Sequence, residues 1–162
     1  MFHKNIYMEQ ALILAKKSYD EGDVPVGCVI VKDGKIIASG RNKRESDNNA
    51  LLHAEVIAIN NACKALNSWR LSDCDLYVTL EPCPMCAGAI INSRIRKVVY
   101  GATDLRAGAC DSVVNLFSFP FNHKPKLLIG IMEKECSELL KDFFQNVRDN
   151  KKWPIIKYCS IP

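Results

Sequence analysis

Two short motifs restrict this 162-residue chain more than any other feature, because together they supply a set of metal ligands. The first is His53-Ala54-Glu55, and the second is Pro82-Cys83-Pro84-Met85-Cys86. One imidazole and two thiolates suit zinc, and structural zinc sites normally have four protein ligands. Three ligands leave one position open for water. The fold must therefore bring His53, Cys83 and Cys86 to one point, and we expect the site to be catalytic.

The spacing within each motif predicts how the ligands are presented. Glu55 lies two residues after His53, and residues at this spacing do not share a face of a helix. A helix that begins near His53 can still aim both side chains beyond its first turn, because helical side chains lean toward the N-terminus. Cys83 and Cys86, three residues apart, do share a face, and Pro82 suits a first helical position, where the helix dipole favours thiolate. We therefore expect two helix N-termini to meet at one metal, with Glu55 as a non-ligand.

Simpler explanations exist for each motif alone. With eight cysteines in the chain, one Cys-x-x-Cys pair can arise by chance or serve as a redox pair. A His-x-Glu sequence is common where a helix simply begins. The two motifs in this order, with a proline directly before the first cysteine, form a much rarer combination. We therefore interpret them together as a zinc site.

Composition indicates one globular domain and no membrane segment. Hydrophobic residues make up 48% of the chain and charged residues 25%, and the length supports one full core. The N-terminus leads into an amphipathic pattern, not an apolar signal core, and no stretch is long enough to span a membrane. We expect a cytoplasmic protein whose six other cysteines stay reduced. Those cysteines are Cys28, Cys63, Cys74, Cys110, Cys136 and Cys159.

The net charge of +4 permits a polyanionic partner without identifying one. The end of the chain is locally basic, with Arg148, Lys151, Lys152 and Lys157 against Asp149. Such a segment either contacts phosphates or is a solvated terminus, and charge alone favours the solvated terminus. We divide the chain into one zinc-dependent domain at 1–148 and a basic C-terminal tail at 149–162.

Hydrophobic periodicity predicts an α/β fold. Apolar residues recur at helical spacing from Met8 to Tyr19, and a strand-like run follows at 26–31. Asp33-Gly34 is a strong turn signal that predicts an antiparallel hairpin with 36–39. The remaining elements, in chain order, are a helix from His53, a strand at 76–80, a helix through 87–91, strands at 98–100 and 127–131, and a final helix with an apolar stripe.

This order predicts a mixed sheet of about five strands with helices on both faces, a three-layer α/β/α sandwich. The buried strand at 76–80 delivers Glu81-Pro82-Cys83 to its carboxyl end. Active sites favour that edge of a sheet.

Both motifs fit the H-x-E…P-C-x-x-C signature of zinc-dependent base deaminases. The chain resembles the cytidine-deaminase-like superfamily and, within it, the bacterial tRNA-specific adenosine deaminases. The resemblance covers nearly everything to about Arg148. Beyond the zinc motifs it includes the blocks 23–27, 40–42, 76–83, 85–90, 93–95, 101–102, 108–109 and 142–144. The blocks at 23–27 and 142–144 are those that look like the tRNA enzymes and not like free-base or free-nucleoside deaminases.

The resemblance implies a function and a set of roles. One Zn²⁺ per subunit, held by His53, Cys83 and Cys86, would make hydroxide available near neutral pH. Glu55 would move protons between water, the adenine ring and the departing amine. The substrate would be the anticodon stem-loop of a tRNA, with wobble adenosine converted to inosine. The family also implies a homodimer.

Three residues match substrate contacts of the family, and each has a simpler explanation. Asn42 matches a residue that contacts the flipped nucleoside, but it also suits ordinary turn chemistry. Val26 matches a pocket wall or is only a core strand residue. Asp104 matches a loop beside the RNA or only solvates a turn. Phe143 and Phe144 match a helix that borders the RNA, and their spacing also predicts core packing.

Two other functions use the same motifs. A pyrimidine or guanine deaminase applies the same zinc chemistry to a small free substrate. A catalytically silent zinc subunit only binds RNA or supports a partner, and such subunits lack the glutamate. The presence of Glu55 argues against the silent subunit.

Overall fold

Helices and strands alternate along the chain after one opening hairpin, as the hydrophobic pattern predicts. The computed structural model describes residues 2–150. The helices are α1 (Phe2–Asp20), α2 (Ala54–Leu66), α3 (Pro84–Asn92) and α4 (Glu133–Asn150). The strands are β1 (Gly27–Lys32), β2 (Lys35–Arg41), β3 (Asp75–Leu80), β4 (Lys97–Ala102) and β5 (Lys126–Ile129), and a short 3₁₀ turn lies at Leu116–Ser118.

The hairpin predicted from Asp33-Gly34 is confirmed. Strands β1 and β2 are antiparallel, with Lys32 opposite Lys35 next to the turn. Asp33 and Gly34 both have positive φ, 49° and 74°. A two-residue loop with this backbone twists in the same sense as the strands, which is why Asp-Gly favours it.

The five strands form one mixed sheet in the order β2-β1-β3-β4-β5, which confirms the predicted sheet. β1 is antiparallel to both β2 and β3, whereas β3, β4 and β5 run parallel to one another. Parallel strands share their carboxyl edge, so the segments that follow β3 and β4 emerge side by side. The first of these segments carries both cysteines of the second motif.

Two hydrophobic cores, one on each face of the sheet, confirm the three-layer sandwich. One core joins the sheet to α2 and α3 through residues such as Ala58, Ile90 and Val78. The other joins the sheet to α1 and α4 through residues such as Met8 and Cys136. Alternate residues of each central strand point to opposite cores, as the strand period of two requires.

No helix between residues 2 and 150 is both long enough and apolar enough to cross a membrane. The predicted basic tail at 149–162 falls, from residue 151 onward, outside the described residues. The boundary at 148 therefore stays a prediction.

The α2 helix, which presents the first motif, packs directly on the backbone of β2 at Gly40. A Cβ atom there would lie 2.3 Å from the carbonyl oxygen of Ala54 and 2.7 Å from the amide nitrogen of Ala58. We expect Gly40→Ala to push α2 off the sheet and lower the free energy of unfolding by about 1–3 kcal/mol. Urea unfolding measures this loss.

Gly88 in α3 is the matched control, because a Cβ atom there meets nothing within 4 Å. We expect Gly88→Ala to leave stability unchanged or to raise it by about 0.5–1 kcal/mol, since alanine is the better helix former. Equal losses in the two variants would show that the close contact at Gly40 is not the cause.

Candidate active site

The first motif lies at the N-terminus of α2. His53 is the N-cap residue, with an extended backbone (φ −74°, ψ 150°), and the helix begins at Ala54. Glu55 occupies the first turn and is only 4% exposed. Because the backbone of His53 is extended and not helical, the side chains of His53 and Glu55 can face the same point although they lie two residues apart.

The second motif lies at the N-terminus of α3. Cys83 is its N-cap, Pro84 its first residue, and Cys86 its third. The expectation that Pro82 begins this helix was wrong by two residues. The carbonyl of Pro82 accepts a hydrogen bond from the amide of Ala109 at 2.9 Å, outside the helix, and Pro84 takes the first helical position instead.

The two helix ends bring the three predicted ligands together. Nδ1 of His53 lies 3.6 Å from Sγ of Cys83 and 3.6 Å from Sγ of Cys86. One ligand atom from each of the three residues lies within 4.8 Å of the other two. A tetrahedral cation of zinc size bridges donors at such separations.

The charges of the two sulfurs support a divalent cation. A hydrogen bond from Cys86 lowers the pKa of Cys83 to about 4, and contact with Cys83 raises the pKa of Cys86 far above its usual value. The same sulfur of Cys83 raises the pKa of His53 through a hydrogen bond. A divalent cation stabilises both thiolates, so the donor set fits zinc.

Glu55 is buried beside this cluster without being part of it. Burial raises the pKa of its carboxyl to about 7. A carboxyl group that titrates near neutral pH can both accept and donate a proton under physiological conditions. The arrangement therefore places a carboxyl that titrates near neutral pH beside a cluster that could hold a metal ion.

A cavity of about 750 Å³ is lined by His53, Glu55 and Cys83. All three predicted substrate residues also line it. Val26 contributes a nearly buried side chain to its wall. Asn42 also lies in the wall, where its side-chain amide donates to the carbonyl of Val24 at 3.0 Å and its oxygen accepts from the amide of Arg44 at 3.3 Å. These bonds fix the orientation of the Asn42 amide group. Its role toward substrate stays a prediction.

Asp104 lines the cavity from the segment that follows β4. Its carboxylate accepts hydrogen bonds from the amides of Arg106 (3.0 Å) and Ala107 (3.2 Å), so it caps its own turn. These hydrogen bonds show that Asp104 caps its own turn, which is the simpler explanation of its presence. A contact with substrate stays a prediction.

The two phenylalanines of α4 divide between the core and the cavity. Phe143 is 3% exposed and packs edge-on against Tyr19, with ring centres 5.3 Å apart. Phe144 lines the cavity, and the guanidinium of Arg106 lies 5.4 Å from its ring centre. Tyr19 also donates a hydrogen bond to Asp142 at 2.6 Å, which ties α1 to this helix.

Sequence reasoning missed the cationic side chains that line the cavity, here called the cationic rim, which are Arg44, Arg106, Lys141 and Arg148. They come from three separate segments, and no local motif links them. Arg148 was noted only as part of a basic terminus. For the other three, the available signal was the excess of positive charge over the whole chain, which does not locate a patch.

A His-Cys-Cys ligand set with a separate glutamate, at the edge of a three-layer α/β/α sandwich, defines the class of nucleobase deaminases. The model of the MafB19-like deaminase family matches residues 2–148. The tRNA-specific adenosine deaminase of Bacillus subtilis (strain 168) is 46% identical over 153 residues, which are 94% of this chain and 95% of that protein. The chain therefore belongs to the MafB19-like deaminase family and, within it, to the tRNA-specific adenosine deaminases.

Two further comparisons agree with this placement. The tRNA-specific adenosine deaminase of Rickettsia typhi is 49% identical over 144 residues, covering 87% of this chain and 97% of that protein. A solved structure from a study of A-to-I editing by tRNA:A34 deaminases at the wobble position superimposes with a TM-score of 0.81. It is 45% identical and covers 83% of this chain and 98% of that one.

Proposed function

We propose that this chain hydrolytically deaminates adenosine to inosine at the wobble position of a tRNA anticodon. It uses one zinc ion per subunit, held by His53, Cys83 and Cys86. The observation that carries the proposal is the buried carboxyl of Glu55 beside the ligand set, at the base of a cavity with a cationic rim. The similarity to named tRNA-specific adenosine deaminases over most of the chain supports the substrate.

The reaction replaces the exocyclic amine at C6 of adenine with oxygen from water and releases ammonia. A zinc ion held by His53, Cys83 and Cys86 would lower the pKa of a water molecule and so would supply the nucleophile near neutral pH. Glu55 would accept one proton of that water and deliver it to N1 of the ring. It would then take the second proton, from the oxygen newly bonded to C6, and deliver it to the amine, which leaves as ammonia. Its burial excludes bulk water from these transfers.

The rest of the cavity suits a nucleotide that belongs to a larger RNA. Asn42 and Val26 line the same cavity as Glu55 and would orient the base and its sugar. Arg44 and Arg106 stand among the cations of the rim, where flanking phosphates would pass. An anticodon loop already presents unpaired bases, so extrusion of one base costs less than it does in a duplex.

The resemblance to the tRNA-specific adenosine deaminases extends the proposal to assembly and location. The protein acts in the cytoplasm, where its tRNA substrate is found, and forms a homodimer. Light scattering of the purified protein tests the dimer: a single species at the monomer mass would contradict it.

We expect the protein to convert wobble adenosine in an anticodon stem-loop and to leave free adenosine, cytidine and guanine unchanged. The KM for the stem-loop should rise steeply with salt, because phosphate contacts release counterions. Inosine formation, followed by chromatography at several salt concentrations, measures both effects. Activity on a free base or nucleoside alone, with little salt dependence, would assign the protein to the small-substrate deaminases instead.

A further inference from the structure

Glu81 is a buried carboxylate that the proton transfers described above do not use. It follows β3 directly, precedes the first cysteine ligand by two residues, and is 2% exposed. Among residues 5–149, whose side chains the structure describes, no lysine, arginine or histidine forms an ion pair with it. A buried charge without a counter-ion is costly unless hydrogen bonds stabilise it.

The stabilising donors all come from one loop, residues 103–112. Oε1 of Glu81 accepts from three successive backbone amides, those of Cys110 (3.1 Å), Asp111 (2.9 Å) and Ser112 (3.0 Å). Oε2 accepts from the amide of Asp104 at 3.1 Å and lies 2.7 Å from the hydroxyl of Ser112. Burial by itself raises the pKa of Glu81, but these bonds outweigh it and lower the pKa below its usual value.

Gly108 leaves room in this loop for the carboxylate of Glu81. A Cβ atom at residue 108 would lie 2.3 Å from Oε2 of Glu81 and 2.3 Å from the hydroxyl of Ser112, so Gly108 leaves the space that the carboxylate occupies. The amide of Ala109 also donates to the carbonyl of Pro82, which ties the same loop to the ligand segment.

The opposite end of this loop forms part of the cavity. Residues 104–107 line the wall that faces α4, and this stretch includes Arg106 of the cationic rim. Asp104 begins the stretch, and its amide is held by Oε2 of Glu81. The carboxylate of Glu81 thus contacts both ends of the loop and, together with the bond from Ala109 to Pro82, fixes the wall relative to the cysteine ligands.

We infer that Glu81 is a positioning residue: it fixes the 104–107 wall relative to the metal ligands and thereby sets the affinity for the RNA substrate. Glu81 is among the residues that line the cavity, but both of its carboxylate oxygens are occupied by donors of the loop, so it acts through the loop. The role toward substrate rests on the proposed function, whereas the anchoring of the loop can be measured without turnover.

Glu81→Gln tests the inference while keeping the shape of the side chain. An amide replaces one acceptor oxygen with an NH₂ group, which must face either the Asp104 amide or the three amides at 110–112. We expect KM for the stem-loop to rise about tenfold or more, as for a lost hydrogen bond to a charged group. We expect kcat to stay within about threefold and zinc to stay near one per chain.

Ser112→Ala is the milder matched variant, because it removes one donor and leaves the backbone amides in place. We expect it to raise KM by less than Glu81→Gln, and it keeps the inference testable if Glu81→Gln does not fold. Lower kcat at unchanged KM would indicate only a smaller folded fraction and would overturn the inference. Loss of zinc in Glu81→Gln would assign the residue to the metal site and would also overturn it.

Amide hydrogen exchange gives a readout independent of activity. We expect the amides of Cys110, Asp111 and Ser112 to exchange at least about tenfold faster in Glu81→Gln, with the β3 amide of Val78 unchanged. Unchanged exchange at 110–112, or equal acceleration in β3, contradicts the anchoring role. If exchange behaves as expected but the wild-type protein leaves the stem-loop unmodified, the proposed function fails and the loop anchor stands.

Discussion

Replacing Glu55 with glutamine should lower kcat on the anticodon stem-loop by at least about 10³-fold, because general acid–base catalysis contributes effects of this size. The amide has the shape of the carboxyl but accepts no proton from water and donates none to the departing amine. The pKa of Glu55, raised to about 7 by burial, places the wild-type group where both transfers are possible. Single-turnover kinetics with saturating enzyme measures the chemical step directly.

The fold and the metal should survive this change. Glu55 is 4% exposed and lies outside the ligand cluster, so a neutral amide of equal size removes a buried ionisable group without opening a cavity. We therefore expect zinc content to stay at one per chain and Tm to stay equal or rise. Glu9→Gln, on the exposed surface of α1, is the control for the loss of one carboxylate. Loss of zinc in Glu55→Gln would show that this carboxyl is a ligand.

The substrate class and the catalytic step are tested separately by these designs. A wild-type protein that converts only a free base, together with an inactive Glu55→Gln variant, keeps the acid–base role and changes the substrate. A zinc-loaded wild-type protein without activity on any substrate would favour the silent subunit, despite the presence of Glu55.

The sequence predicted the parts of the fold that local patterns determine. The turn at Asp33-Gly34, the buried strand that became β3 and the order of elements each follow from nearby residues, and the structure contains all of them. The start of α3 was less predictable, because Pro82 and Pro84 both suit a first helical position. The choice depends on the hydrogen bond between Pro82 and Ala109, which joins residues 27 positions apart and leaves no local signal.

The site divides in the same way. The meeting of His53, Cys83 and Cys86 at one point was predictable because metal coordination requires particular residue types at fixed spacings. The roles of these residues and of Glu55 stay predictions. Asp23 and Glu81 were visible only as members of similar blocks, although each is buried and each holds a loop beside the cavity. Asp23 accepts hydrogen bonds from the amides of Glu45 and Ser46, in the loop that carries Arg44. Their partners lie 22 to 31 residues away, so only the folded chain reveals these contacts.

The loop held by Asp23 and the loop held by Glu81 are stabilised in the same way. A buried carboxylate accepts several backbone amides and so gives an irregular segment a fixed shape that its own sequence does not encode. Each loop also places a cation at the rim, Arg44 in one case and Arg106 in the other. The cationic rim is therefore a product of tertiary structure, which explains why charge counting along the chain did not locate it.

Replacing Cys86 with alanine should abolish zinc binding and, with it, activity. Cys86 is fully buried in the first turn of α3, and its sulfur lies 3.6 Å from Nδ1 of His53. Loss of one of three protein ligands should weaken zinc binding by more than about 100-fold, because even changes to groups behind the ligands cost 10- to 100-fold. Zinc content by mass spectrometry and stem-loop turnover measure the two losses.

Cys110→Ala is the matched control, since Cys110 is also fully buried but lies outside the ligand cluster. Both variants lose one buried sulfur, so any difference in Tm between them measures the contribution of bound zinc to stability. Because zinc binds the folded state, its loss should lower Tm further in Cys86→Ala than in Cys110→Ala. A chelator should lower the Tm of the wild-type protein and of Cys110→Ala by a similar amount and leave the Tm of Cys86→Ala unchanged. A Cys86→Ala protein that retains one zinc per chain, or a chelator effect equal in all three proteins, would contradict the assigned ligand set.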